Sequence, residues 1–265
     1  IIGTGAVIAL LSVGQGAQGA ITEQIQSIGS NLIFVFPGRY DQSSSQQVRN
    51  WAPLTRQDAE AIADPSLVEH VSAVAPVIQR SASVTYGGDS YTTPIIGTTP
   101  EFEFVRNYTP EFGQFFTEGE DAAAARVALL GYQTASDFFG NPADAVGETV
   151  RINNVPFEVI GVFEKKGGQG FGGGGSQDSL VIIPLTTAQR RLFTGRFLST
   201  VGESVDGINV SAVDEESIEA AIDEITWLLR ERHDVQYEED DFTVASQSDI
   251  LGVFDQIMSV FTIFL

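Results

Sequence analysis

Two uncharged, apolar stretches bracket this chain, and a body carrying its charge lies between them. Residues Ile1 to Thr22 contain no charged side chain, and Ile1–Val13 (IIGTGAVIALLSV) is almost wholly apolar. The far end, Gln256–Leu265 (QIMSVFTIFL), is again uncharged. A membrane-crossing helix takes about 20 apolar residues, so neither stretch spans a bilayer as it stands. A secretory signal is not the expectation for the first run, which shows no basic n-region of its own. Such runs can be buried core helices. Their placement at opposite ends of a polar chain favours a second reading, the stumps of two transmembrane helices flanking an extracytoplasmic domain. The scarcity of Lys and Arg agrees, because basic residues collect in cytoplasmic loops, although the rule weakens for long loops.

Composition removes several functions. With 35 acidic residues against 14 basic ones and a formal charge of -21, a nucleic-acid backbone would be repelled. The chain has no Cys, so disulfides, thiolate metal sites and cysteine nucleophiles are excluded. Only Lys165 and Lys166 are lysines, which leaves little for a phosphate site.

Periodicity divides the chain. Ile21, Ile25, Ile28 and Leu32 recur at steps of four, three and four, the stripe of an amphipathic helix that ends at Gly29. Leu32–Phe36 (LIFVF), closed by Pro37-Gly38, reads as a buried strand. Asp41–Asn50 is a polar Ser/Gln-rich loop. Thr55 to Asp58 fits a capping box opening a short helix through Ala63, stopped by Asp64-Pro65. Val71–Ile78 and Ser83–Tyr86 read as strand, turning at Gly87-Gly88 into Tyr91–Gly97. A second strand–helix–strand unit follows near the C-terminus: Gly207–Ser211, a helix capped by Asp214, then Phe242–Ala245. In that helix Ile218, Ile222, Ile225 and Leu229 form the apolar face, and Arg230, Arg232 and His233 suit the dipole of the last turn. The sequence therefore predicts two related halves sharing one sheet, with a second subdomain looped out between them.

That insert, roughly Pro100–Leu185, reads as having a core of its own, rich in Phe102, Phe104, Phe112, Phe115 and Phe116. Its elements are a strand at Val127–Leu130, a helix at Ala135–Phe139, a hairpin around Asn153-Asn154 and a strand at Leu180–Ile183. Lys165–Ser176 (KKGGQGFGGGGS) is a flexible tip between strands. It is no Walker loop, since no glycine is followed by Lys-Ser or Lys-Thr, and no dinucleotide fingerprint, since no helix follows. Gly170, Phe171 and Gly172 are candidates for touching a partner, as loop tips often do. His70 and His233 are given capping or surface roles, and Glu238–Asp241 the role of a solvated acidic turn. Carboxylates are plentiful, but no spacing singles out a catalytic pair.

Several segments together resemble the periplasmic core domain of MacB-type ABC transporter permeases. They are Ala6–Gln15 (AVIALLSVGQ), Ile25–Pro37 (IQSIGSNLIFVFP), Ala128–Gly140 (ALLGYQTASDFFG), Val146–Val162 (VGETVRINNVPFEVIGV) and Ile225–Val244 (ITWLLRERHDVQYEEDDFTV). The resemblance implies an α+β fold: a porter-like subdomain of two β-α-β halves with an inserted small mixed subdomain, on two stalk helices that continue transmembrane helices. The expected division is residues 1–31 for the end of the first transmembrane helix and stalk, 32–99 for the first porter-like half and 100–190 for the insert. Residues 191–248 form the second half and 249–265 the second stalk. The expected role is non-catalytic transmission of ATP-driven motion to a substrate outside the membrane, with Ile21, Ile25 and Ile28 coupling the stalk. Expected partners are an ABC ATPase subunit or domain, a second permease copy, a periplasmic adaptor and membrane lipid at both termini; neither cofactor nor nucleic acid is expected. A static sensor or adhesion module, and less so a membrane-anchored carboxylate hydrolase, are the rival readings.

Overall fold

The computed structural model describes residues 31–38, 52–167, 176–193, 203–237, 239–250 and 252. In chain order the first elements are β1 (Leu32–Pro37), α1 (Arg56–Ile62), β2 (Val71–Tyr86) and β3 (Asp89–Thr98). The middle elements are α2 (Phe102–Val105), β4 (Pro110–Gly113), α3 (Glu118–Ala122), β5 (Val127–Leu130), α4 (Tyr132–Phe139), β6 (Thr149–Ile152) and β7 (Val155–Phe163). The last are β8 (Val181–Pro184), α5 (Leu185–Thr187), β9 (Gly207–Ala212), α6 (Ile218–His233) and β10 (Phe242–Ser246). The fold is mixed α/β, and all the described strands join one sheet in the order β10-β1-β9-β2-β3-β8-β5-β7-β4, with β6 set against β2 and β7.

The strands β1 and β2 flank the helix α1 but do not touch each other. β9 lies between them, antiparallel to both, and β10 adds to the outer side of β1. The order β10-β1-β9-β2 is that of a split β-α-β pair, in which each half leaves a gap that a strand of the other fills. Side chains alternate across a strand, so β1 faces two ways. Ile33 and Val35 meet Ala59 and Ile62 of α1 and Ile225 and Leu229 of α6 in one core. Leu32 and Phe34 point to the opposite face and join Phe102, Phe116, Leu129 and Phe163 in another. Burial on both faces is why LIFVF is an unbroken apolar run rather than an alternating one.

Several local expectations hold residue for residue. Thr55 caps α1 reciprocally with Asp58. Gly87 and Gly88 turn β2 into β3 with φ of +60° and +106°. Asn153 and Asn154 turn β6 into β7 at φ 45° and 68°, the left-handed pair that a two-residue hairpin of this hand requires. Three features differ. The two strand segments expected between Val71 and Tyr86 are one strand of 16 residues, because β3 pairs along its polar middle at Gln79, Arg80 and Ser81. The helix α6 starts at Ile218; Asp214 Oδ1 instead accepts the Ser217 N–H at 2.8 Å in the preceding turn. The insert's aromatics do not all make a private core: Phe102, Phe115 and Phe116 cover the open face of β1, Phe112 packs in a third cluster around Val84, Leu130 and Phe157, and Phe104 is exposed.

Ile225 is fully buried where α6 meets the sheet. Truncating it leaves a cavity as well as losing apolar burial, so Ile225→Ala should cost about 2–5 kcal/mol, read from urea unfolding.

Candidate functional site

A cleft of 520 Å³ opens where α1 and the start of β2 meet the inserted region. Its construction begins with the Thr55 cap, which sets Arg56 at the first position of α1. Arg56 Nη2 lies 3.1 Å from Asp121 Oδ2, and Nη1 donates to Thr186 Oγ1 at 2.9 Å. The Thr186 N–H donates in turn to Asp121 Oδ1 at 2.8 Å. One guanidinium thus ties α1 to α3 and α5. Burial opposes the Arg56 charge, but Asp121 and Glu60 outweigh it and raise its pKa. Ala59, Val74, Pro76 and Ala122 give the cleft apolar walls, and Glu60, Glu101 and Glu118 give it an acidic rim. Thr99, 8% exposed, lines it with a hydroxyl that has no hydrogen-bond partner among the described residues. The arrangement suits a ligand with an apolar body and a cationic group. It contains no nucleophile aligned with a base.

Below α1 lies a buried charge cluster. Asp58 Oδ2 accepts from the Thr55 N–H and hydroxyl at 2.9 and 2.7 Å, while Oδ1 accepts from Arg232 Nε at 2.7 Å. His233, its side chain 8% exposed, places Nε2 3.5 Å from Asp58 Oδ2 and Nδ1 2.9 Å from Asp241 Oδ1. Arg230 grips Asp240 through two bonds of 2.6 and 2.7 Å. Of the capping or surface role expected for His233, the surface part is corrected, and of the run expected to be a solvated turn, Asp240 and Asp241 are drawn into ion pairs while Glu239 stays exposed. Phe242 is buried edge-on against the His233 ring, and its insertion draws Asp240 and Asp241 under the end of α6. His70 does lie at the surface, with Nδ1 2.7 Å from Glu224 Oε1.

The buried carboxylates among the described residues serve structure. Asp178 accepts the Lys166 and Gly167 N–H groups at 2.8 and 2.9 Å; Asp58, Asp121 and Asp241 are paired as above. No cluster of three or more His, Asp or Glu able to hold a metal occurs among the described residues, and no helix there is long and apolar enough to cross a membrane. The residues singled out from the sequence, Ile21, Ile25, Ile28, Gly170, Phe171 and Gly172, lie outside the described residues. Sequence reasoning missed the long-range partners. The capping box flags Thr55 and Asp58, but Arg232 is 174 positions away from Asp58 and no local spacing links them.

The cluster makes stability depend on pH in a defined window. Burial pushes the Asp58 carboxyl up, but hydrogen bonds from His233, Thr55 and Arg232 prevail and hold it well below its ordinary 3.8. Its stabilisation is present above pH 3.8 and lost as pH falls toward the folded-state value. The bond to Asp58 raises His233 above 6.5 against the effect of burial, and Asp241 adds to the rise. Its stabilisation is complete below pH 6.5 and lost as pH climbs through the folded-state value. Both are full only between those limits. His233→Gln should flatten the alkaline decline in thermal midpoint relative to the parent, with the exposed His70→Gln removing a smaller share; an identical alkaline slope in His233→Gln would refute the assignment.

A family model described as the MacB-like periplasmic core domain matches residues 1–227. The macrolide export ATP-binding/permease protein MacB of Rhodospirillum rubrum is 36% identical over 269 residues, covering 100% of this chain and 38% of that protein. The protein of the same name from Azoarcus sp. strain BH72 is 33% identical over 267 residues, covering 100% and 37%. The chain thus spans less than two fifths of the length of these relatives. Among solved structures, the periplasmic region of MacB from Actinobacillus actinomycetemcomitans superposes with a TM-score of 0.68 at 22% identity, covering 87% of this chain and 95% of that one. The extracellular domain of the noncanonic ABC-type transporter YknZ from Gram-positive bacteria gives 0.60 at 18% identity, covering 82% and 100%. These two likenesses speak for the fold, and the sequence matches for descent: the chain belongs to the MacB-like periplasmic core domain family.

Proposed function

We propose that this domain is a non-catalytic moving part of an ATP-driven transporter, carrying motion from a cytoplasmic ATPase to a substrate outside the membrane. One observation carries the reading. β1 and β10 are antiparallel neighbours with Ile33 opposite Ser246, so the chain enters the sheet and leaves it at the same end of two strands about 5 Å apart. Asn31 is fastened there by bonds from Nδ2 to Ser211 Oγ and the Ala212 carbonyl, at 3.1 and 2.6 Å. At the exit, Ser246 and Asp249 form a reciprocal cap, with Asp249 N–H to Ser246 Oγ at 3.1 Å and Ser246 N–H to Asp249 Oδ2 at 2.8 Å. Residues 247–250 are helical. Two helices leaving side by side would act as stalks, because helical backbone hydrogen bonds resist stretching and pass displacement along the axis.

In this reading the order β10-β1-β9-β2 with α1 and α6 is the porter-like subdomain, made of residues 32–99 and 191–248, and residues 100–190 are the inserted subdomain. Residues 1–31 and 249–265 supply the stalks and the adjoining ends of transmembrane helices. The stalks displace β1 and β10 directly, and the Arg56 link to Asp121 and Thr186 carries the displacement into the insert. A second copy of the permease, the ATPase and a periplasmic adaptor complete the assembly, with Gly170, Phe171 and Gly172 offered as a contact for the adaptor.

Replacing Ile21, Ile25 and Ile28 together by Asn should uncouple the assembled transporter: ATP hydrolysis persists while efflux falls by tenfold or more. Undiminished efflux in the triple variant would remove the stalk from the mechanism.

A further inference from the structure

A second cavity, of 210 Å³, lies on the face of the sheet away from α1 and α6, between Phe34, Val77 and Ile96 on one side and Tyr108 and Leu180 on the other. Arg106 lines it, with its guanidinium carbon 5.5 Å from the centre of the Phe34 ring. Arg106 Nε is buried without a hydrogen-bond partner, and no carboxylate among the described residues stands within ion-pair distance of the side chain. The nearby acid, Asp178, is already occupied by the Lys166 and Gly167 N–H groups. Lys166 adds positive charge instead: its Nζ donates to the Arg106 carbonyl at 3.2 Å and sits 4.1 Å from the centre of the Tyr108 ring. Burial, with Arg106 beside it, pushes the Lys166 ammonium down to about 8. Asn209, 7% exposed, lines the same cavity.

The Arg106 Nε, sealed from water without a hydrogen-bond partner among the described residues, loses solvation that the contact with the Phe34 ring repays only in part. The chain has 35 acidic residues, yet among the described residues no carboxylate is placed to pair it. A guanidinium fork fits a planar or tetrahedral oxyanion through two parallel bonds. We propose that this cavity binds a small molecule with one oxyanion head and a flat apolar body, the head on Arg106 and the body between the apolar walls. The inference is independent of the transport reading.

The test uses the full chain in lipid nanodiscs, titrated calorimetrically against empty discs. Naphthalene-2-carboxylate should bind saturably at one site per chain, and the cation 2-naphthylmethylammonium, of similar body, at least tenfold more weakly. 2-Naphthyl phosphate is the second arm, and the tighter of the two anions identifies the head. Arg106→Met should weaken the anions tenfold or more while its thermal midpoint stays level or rises, because an uncompensated charge is removed. Ile96→Trp, which fills the cavity and keeps Arg106, should abolish binding and decides the matter if Arg106→Met fails to fold. Absence of saturable binding by either anion, equal binding of the cation, or an unchanged affinity in Ile96→Trp would each overturn the proposal.

Discussion

The rest of the structure depends on β9 filling the gap between β1 and β2. Without it, β1 would present bare N–H and C=O groups on that side and β2 would lose the partner of its first half. The strand that closes the gap begins at Gly207, far beyond the hairpin it joins. The strands β1 and β2 therefore cannot complete their pairing until β9 arrives from much later in the chain. Such pairing of distant segments costs loop-closure entropy before any contact repays it. In return, β1 is held on both edges, which places the entering and leaving segments of the chain next to each other.

The short helix α1 is the second junction. Its first residue, Arg56, reaches into the insert, and its third, Asp58, reaches under α6 and toward β10. A seven-residue helix has little stability of its own, so the Thr55 cap and these two anchors hold it. Buried ion pairs of this kind contribute little net stability but penalise every arrangement that separates the partners. The two anchors therefore act more on geometry than on energy: they set where the insert and the second half stand relative to one small helix. Arg106 is the exception: its Nε is buried with no such partner among the described residues, and that contrast is what marks its cavity.

Legibility followed the range of the interaction. The turns at Gly87-Gly88 and Asn153-Asn154, the cap at Thr55 and the apolar face of α6 depend on neighbours a few positions away, and each could be read from spacing. The kinship with the MacB-like domains was legible too, since it rests on whole segments. The start of α6 was misread by three residues because Asp214 and Ser217 offer competing caps and only packing chooses between them. The role of His233 was misread because its partners Asp58 and Asp241 converge through the third dimension.

By itself the amino-acid sequence determined strands β1 to β3 and β5 to β10, helices α1, α4 and α6, the family, and the exclusion of thiol and nucleic-acid chemistry. These follow from side-chain period, turn stereochemistry and net charge, which are properties of the chain before it folds. Only the tertiary structure decided that β9 separates β1 from β2, that Phe102 and Phe116 cover β1, that His233 is buried between two carboxylates, and that Arg106 stands without one. Each of these is a contact between distant segments, and its existence depends on which surfaces remain open once the rest of the sheet has closed.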